Sequence, residues 1–127
     1  MTPRRKILLV EDDPEIREVI SIFLSSEPYE IVASENLSAA LQRLSTMGPF
    51  DLAILDFWLG TEHSVSILDT IRAKGDNTPV IVISGGNDHM DLEATAAIAD
   101  ISGAVVFLQK PFQKSTLLEA VSSVLEI

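Results

Sequence analysis

The sequence predicts an α/β domain built on a mainly parallel sheet. Short apolar runs rich in β-branched residues alternate with longer stretches of helical period, the pattern of successive strand and helix units. Three of those runs end in charged chemistry. Ile7-Leu8-Leu9-Val10 leads into Glu11-Asp12-Asp13, Leu52-Ala53-Ile54-Leu55 into Asp56, and Val105-Val106-Phe107-Leu108 through Gln109 into Lys110-Pro111. Parallel strands put their carboxyl ends at one edge of the sheet, where open α/β sheets keep their sites.

The first strand is Lys6–Val10. Asp13-Pro14 then supplies an N-cap followed by proline at the first helical position, and Ile16, Val19, Ile20, Phe23 and Leu24 share one helical face. Pro28 marks the entrance to a second strand over Tyr29–Ser34, and the next helix, Leu37–Thr46, buries Leu37, Ala40, Leu41 and Leu44 before stopping at Gly48-Pro49. The third strand, Leu52–Asp56, is apolar without alternation and so is buried on both faces. A helix over Val65–Ala73 turns Val65, Leu68 and Ile71 inward, and Val80–Ser84 is the most β-branched stretch of all. A fourth helix is expected near Asp91–Ile101, a fifth strand over Ala104–Leu108, and a last helix with a capping box of Thr116 and Glu119.

With 127 residues the chain fits one domain, expected to stand alone over residues 1–127 with no effector domain. No apolar run approaches the ~20 residues that span a bilayer. The absence of cysteine excludes disulfides and thiolate metal sites, in keeping with a cytoplasmic protein. A net charge of −10, with the nine Lys and Arg residues scattered, opposes direct nucleic-acid binding.

The clustered strand ends suit a hard divalent cation and a phosphoryl group. Magnesium takes oxygen ligands and uses one or two carboxylates beside phosphate oxygens, which Asp12, Asp13 and Asp56 can supply. Asp13 is also explained as the helix cap, and Glu11 as an acidic residue favoured by the helix dipole. A carboxylate becomes a phosphoryl acceptor when a cation and an ammonium neutralise the transferring group; Lys110 and the hydroxyl of Ser84 have the right types and places.

The acidic cluster Glu11-Asp12-Asp13, Asp56 ending strand three, Ser84 ending strand four, the aromatic Phe107 and Lys110-Pro111-Phe112 together resemble the receiver domain of two-component response regulators, over essentially the whole chain. The resemblance implies a flavodoxin-like (βα)5 doubly wound parallel sheet of order 2-1-3-4-5. It implies Asp56 as phosphoacceptor, with Mg²⁺ (or Mn²⁺) held by Asp12 or Asp13, Asp56 and the backbone carbonyl of Trp58. It further implies that Lys110 pairs with the phosphoryl group, that Ser84 bonds it, that small residues such as Gly85 line the pocket, that Phe107 moves with the switch, and that the bond before Pro111 is cis.

The loop after Asp56 departs from that family: it reads Phe57-Trp58-Leu59-Gly60-Thr61-Glu62-His63-Ser64 and lacks the usual proline. His63 and His89 read as solvated loop residues. The expected fourth helix, with no basic residue, offers a docking or dimer surface towards the fifth. The function implied is a phosphorylation-controlled signalling switch that takes its phosphoryl group from a sensor histidine kinase or histidine phosphotransfer protein and signals by docking. Only its own phosphorylation from a donor and its own dephosphorylation are expected as catalysis. Two alternatives compete. A Mg²⁺-dependent aspartyl-phosphate phosphatase would carry an aspartate where Trp58 stands, and a pseudo-receiver would bind partners without phosphate.

Overall fold

The computed structural model describes residues 4–59, 62–73, 77–85, 97 and 104–125. The elements are β1 Arg5–Val10, α1 Pro14–Leu24, β2 Tyr29–Ser34, α2 Leu37–Met47, β3 Leu52–Asp56, β4 Trp58–Leu59, β5 Glu62–His63, α3 Val65–Ala73, β6 Val80–Ser84, β7 Val106–Gln109 and α4 Lys114–Leu125. Five strands form one sheet of order β2-β1-β3-β6-β7, and every pair in it is parallel. Numbering only those five in chain order gives 2-1-3-4-5, the expected topology.

Alternate residues of the central strands feed two separate cores, as the period of a strand requires. Leu8, Val10, Ala53 and Leu55 pack on one face with Ala40 of α2 and Ile67, Leu68 and Ile71 of α3. Ile7, Leu9, Leu52 and Ile54 pack on the other with Ile20 and Leu24 of α1 and Leu117 and Val121 of α4. β1 and β3 lie mid-sheet with both faces covered, so the polar residues at their ends are held by a rigid frame.

Three local expectations are corrected. β7 occupies Val106–Gln109 rather than Ala104–Leu108, because its ladder with β6 starts at Ile81 opposite Val106 and continues to Ser84 opposite Gln109. α4 starts at Lys114, with the Leu117 N–H donating to the Gln113 carbonyl, so Thr116 lies inside the helix and caps nothing. The segment after Asp56, expected as a plain loop, forms an antiparallel pair in which Trp58 faces His63 and Leu59 faces Glu62. The fourth helix expected near 91–101 lies outside the described residues apart from Ala97, which is helical, as do Gly86 and His89.

Candidate functional site

Glu11 follows directly on β1, and its N–H donates to the Ser34 carbonyl at 3.1 Å, prolonging the sheet by one residue. Since Val10 lies opposite Leu55, the next step of the register brings Glu11 beside Asp56. Both are buried, Glu11 at 0% and Asp56 at 5% exposure. Carboxylate oxygens of Glu11, Asp12 and Asp56 lie within 4.8 Å of one another. At the end of β7, Lys110 sends Nζ to Glu11 Oε1 at 2.6 Å and to Asp56 Oδ2 at 3.3 Å. Its own N–H donates to the Ser84 carbonyl at 2.9 Å, which ties the ammonium to the end of β6.

The electrostatics follow from this crowding. Burial, then the hydrogen bond and charge of Glu11, push the Asp56 carboxyl up from 3.8 to about 8, against the opposing pull of Lys110. For Lys110, burial works to lower the pKa, but the hydrogen bond to Glu11 and the charges of Asp56 and Glu11 outweigh it and hold the ammonium above its ordinary 10.5. With Asp56 ionised the pocket would carry more negative charge than one ammonium neutralises, so the carboxyl holds its proton.

The family model of the response regulator receiver domain matches residues 7–122 of this chain. The chain belongs to that family. It is 35% identical to the DNA-binding transcriptional regulator NtrC of a Bradyrhizobium species, over 97% of this chain and 25% of that protein. With the DNA-binding response regulator MtrA of Mycolicibacterium smegmatis it shares 28% identity over 94% of this chain and 50% of the relative. The chain thus spans a quarter to a half of the length of these relatives. Among solved structures, a CheY-like receiver domain protein from Methanospirillum hungatei superposes with a TM-score of 0.86 at 23% identity, covering 98% of this chain and 95% of that one, which establishes the fold. The signal receiver domain of an HD domain-containing protein from Pseudomonas fluorescens gives 0.84 at 27% identity, with 98% and 96% covered. The chain is accordingly a phosphorylation-dependent signalling switch of the two-component type.

Within this receiver the expected residues are brought together unevenly. Asp12, Asp56 and Lys110 converge at the carboxyl ends of β1, β3 and β7, with buried Ser84 ending β6 between the last two. Asp13 does not join them. Its Oδ1 accepts from the N–H groups of Glu15 at 2.9 Å and Ile16 at 3.4 Å and so caps α1. Glu11, read from sequence as a dipole partner, takes the inner place instead, and its Oε2 accepts from the Asp13 N–H at 3.3 Å. The signal that could have found it is position: Glu11, not Asp13, is the first residue beyond the strand.

Trp58 is tied to the site by its backbone, its N–H donating to Asp56 Oδ1 at 3.3 Å, while its ring meets Phe57 edge-on with centroids 5.0 Å apart. Phe107 is partly buried against the first core, opposite Val82. Gly85 lies against Lys110; a Cβ there would meet Lys110 Cβ at 3.8 Å, an ordinary contact. The Lys110–Pro111 bond is cis. His63 pairs through its backbone with Trp58.

Proposed function

We propose that Asp56 is the phosphoacceptor of this receiver and that a sensor histidine kinase or a histidine phosphotransfer protein is its donor. The observation that carries the reading is the contact of one ammonium, Lys110, with both Glu11 and Asp56 in a buried pocket. An Asp56 oxygen attacks phosphorus, the bond from phosphorus to the donor nitrogen breaks, and that nitrogen keeps the electron pair. The new acyl phosphate brings negative charge, which Lys110 can follow by exchanging its Glu11 contact for a phosphoryl oxygen. Ser84, at the end of β6, would donate its hydroxyl to the same group, with Gly85 leaving room and Phe107 repacking as the switch is read out.

The donor set of the pocket fits a divalent cation: three carboxylates with oxygens within 4.8 Å of one another offer hard oxygen ligands, of which such an ion uses one or two directly beside phosphate oxygens and water. Glu11, Asp12 and Asp56, with the Trp58 carbonyl suggested by the resemblance, would hold Mg²⁺ or Mn²⁺, and Asp13 serves as the helix cap. Bound there, the ion neutralises charge on the transferring group.

A groove of about 300 Å³ beside the site supports a protein donor. Ile16, Val19 and Phe23 of α1 face Pro111 and Phe112 across it, with Lys110 at its end. An apolar surface next to a charged acceptor is what a partner delivering the group would cover. Output would then pass to a downstream partner or a second copy of the chain over the face from the expected fourth helix to α4. We place this exchange in the cytoplasm; among the described residues no helix is long and apolar enough to cross a membrane. The DNA binding recorded in the names of NtrC and MtrA is not assigned to these residues, whose net charge is −10.

Acetyl phosphate with Mg²⁺ tests the reading by intact-mass measurement. One phosphoryl adduct is expected on the native protein and none on Asp56→Asn, whose side chain keeps the shape but not the nucleophile. An adduct of equal yield on the variant would overturn the assignment.

A further inference from the structure

At the edge of the sheet a second, smaller groove of about 180 Å³ is lined by Arg17 of α1, by Ala33, Ser34 and Glu35 at the end of β2, and by Ala39 and Arg43 of α2. We propose that this groove binds a small oxyanion of the phosphate class. Two arginines, each carrying a planar fork of N–H donors, line one small space. Arg17 uses NH1 on the Glu11 carbonyl at 2.8 Å. Arg43 makes no hydrogen bond or ion pair with a described residue, although the carboxylate of Glu35 lines the same groove and the chain carries a net charge of −10. In so acidic a protein, two arginines that form no ion pair among the described residues are a concentration of positive charge that structural pairing does not explain.

The groove wall gives a second, independent indication. Ser34 is only 3% exposed, and its Oγ has no hydrogen-bond partner among the described residues. A buried hydroxyl in that state destabilises the fold and is relieved by an acceptor. An oxyanion has acceptor oxygens for the hydroxyl and for both guanidiniums at once. Glu35 is exposed and can turn to solvent.

The same groove adjoins the acidic pocket through the backbone. Glu11 donates its N–H to the Ser34 carbonyl and accepts from Arg17 at its own carbonyl, so both backbone groups of Glu11 are held by groove residues. An anion seated between Arg17 and Ser34 would stiffen the segment that carries Glu11 and Asp12. The inference stands apart from the assignment of Asp56, because it concerns different side chains and is tested without phosphoryl transfer.

The test is a titration of the whole chain with inorganic phosphate in a chelating buffer, against potassium chloride at matched ionic strength, followed by amide chemical shifts and melting temperature. Saturable shifts confined to the Ala33–Ala39 stretch and the start of α1 are expected, with a rise in melting temperature that chloride does not give. Arg43→Gln, at a partly exposed position without a partner, should fold normally and weaken phosphate binding by about ten-fold or more. Ser34→Ala should melt no lower than the native protein in the absence of anion, yet bind phosphate several-fold more weakly. A glycerol phosphate arm identifies the source: binding as tight as that of phosphate means that esters are accepted, whereas binding of phosphate alone means a free ion. Chloride-like behaviour of phosphate, or equal affinity in native protein and Arg43→Gln, overturns the proposal.

Discussion

Asp56→Asn should make the metal-free protein more stable, and the gain should depend on pH in a defined direction. The folded carboxyl titrates near 8 against 3.8 for the ordinary group, chiefly because it is buried and faces Glu11. Between those values the folded state retains a proton that the unfolded chain has released. Stability is therefore fully present below about pH 4 and is lost as pH rises towards 8, by at most ~1.4 kcal/mol per pH unit for one proton. At pH 7 the ceiling is about 4 kcal/mol. The amide removes this loss because it does not ionise, and its N–H can donate to Glu11. It also forfeits the 3.3 Å contact with Lys110, which keeps its nearer partner Glu11 at 2.6 Å. A net gain of roughly 1–3 kcal/mol at pH 7 is expected after that offset.

Urea unfolding in EDTA, followed by Trp58 fluorescence at half-unit steps from pH 4.5 to 8, measures the gain directly. Native and variant curves should converge at the acid end and separate steadily above it. Near pH 7 each kcal/mol should appear in thermal melts as roughly 4 °C. Magnesium should narrow the separation, since a cation bound by all three native carboxylates stabilises the native protein more than a variant that keeps two. A variant less stable than the native protein at pH 7, or a difference that stays constant across the range, would refute the idea that the empty pocket is overcharged.

Other outcomes follow from the same geometry. Asp12→Asn should weaken Mg²⁺ binding, read from Trp58 fluorescence, by about ten-fold or more, whereas Asp13→Asn, which keeps a capping side chain, should change it less than three-fold; equal losses would return Asp13 to the ligand set. Lys110→Ala should still bind Mg²⁺ but accumulate little phosphoprotein from acetyl phosphate, and native yields would remove Lys110 from the mechanism. Trp58 has no group that can act as a base for the attacking water, so Trp58→Asn should shorten the life of the phosphorylated state by roughly ten-fold. An unchanged half-life would show that the indole, packed on Phe57, leaves the path of water open.

Much of the frame was legible because the forces that set it are local. β2, β3, α3 and β6 begin and end at the expected residues, since each is an unbroken apolar or periodic run closed by proline, glycine or a charged group. The errors lie where tertiary pairing overrides local preference. Ala104 and Val105 look like strand residues, but the ladder to β6 fixes the start of β7 at Val106, and Val105 is exposed. The pair formed by β4 and β5 was hidden because each strand is two residues long, too short for a period to show.

The site shows the same division more sharply. The meeting of Asp12, Asp56 and Lys110 was readable from residue types at strand ends, but the placement of three successive acidic residues around them was not. Capping preference alone gives Asp13 a role, and the helix dipole alone gives Glu11 one, so local reasoning leaves Asp12 and Asp13 as the apparent ligands. Register adds a third carboxylate that local reasoning passed over. Because Val10 pairs with Leu55, the residue one step on from β1 meets Asp56, and that residue is Glu11. Lys110 then reaches Glu11 before Asp56, by 2.6 against 3.3 Å, which leaves the Asp56 carboxylate the less neutralised of the two. Burial and the neighbouring Glu11 make Asp56 hold its proton in the empty pocket, and the longer Lys110 contact only partly opposes them; a cation beside the carboxylate would favour release of that proton.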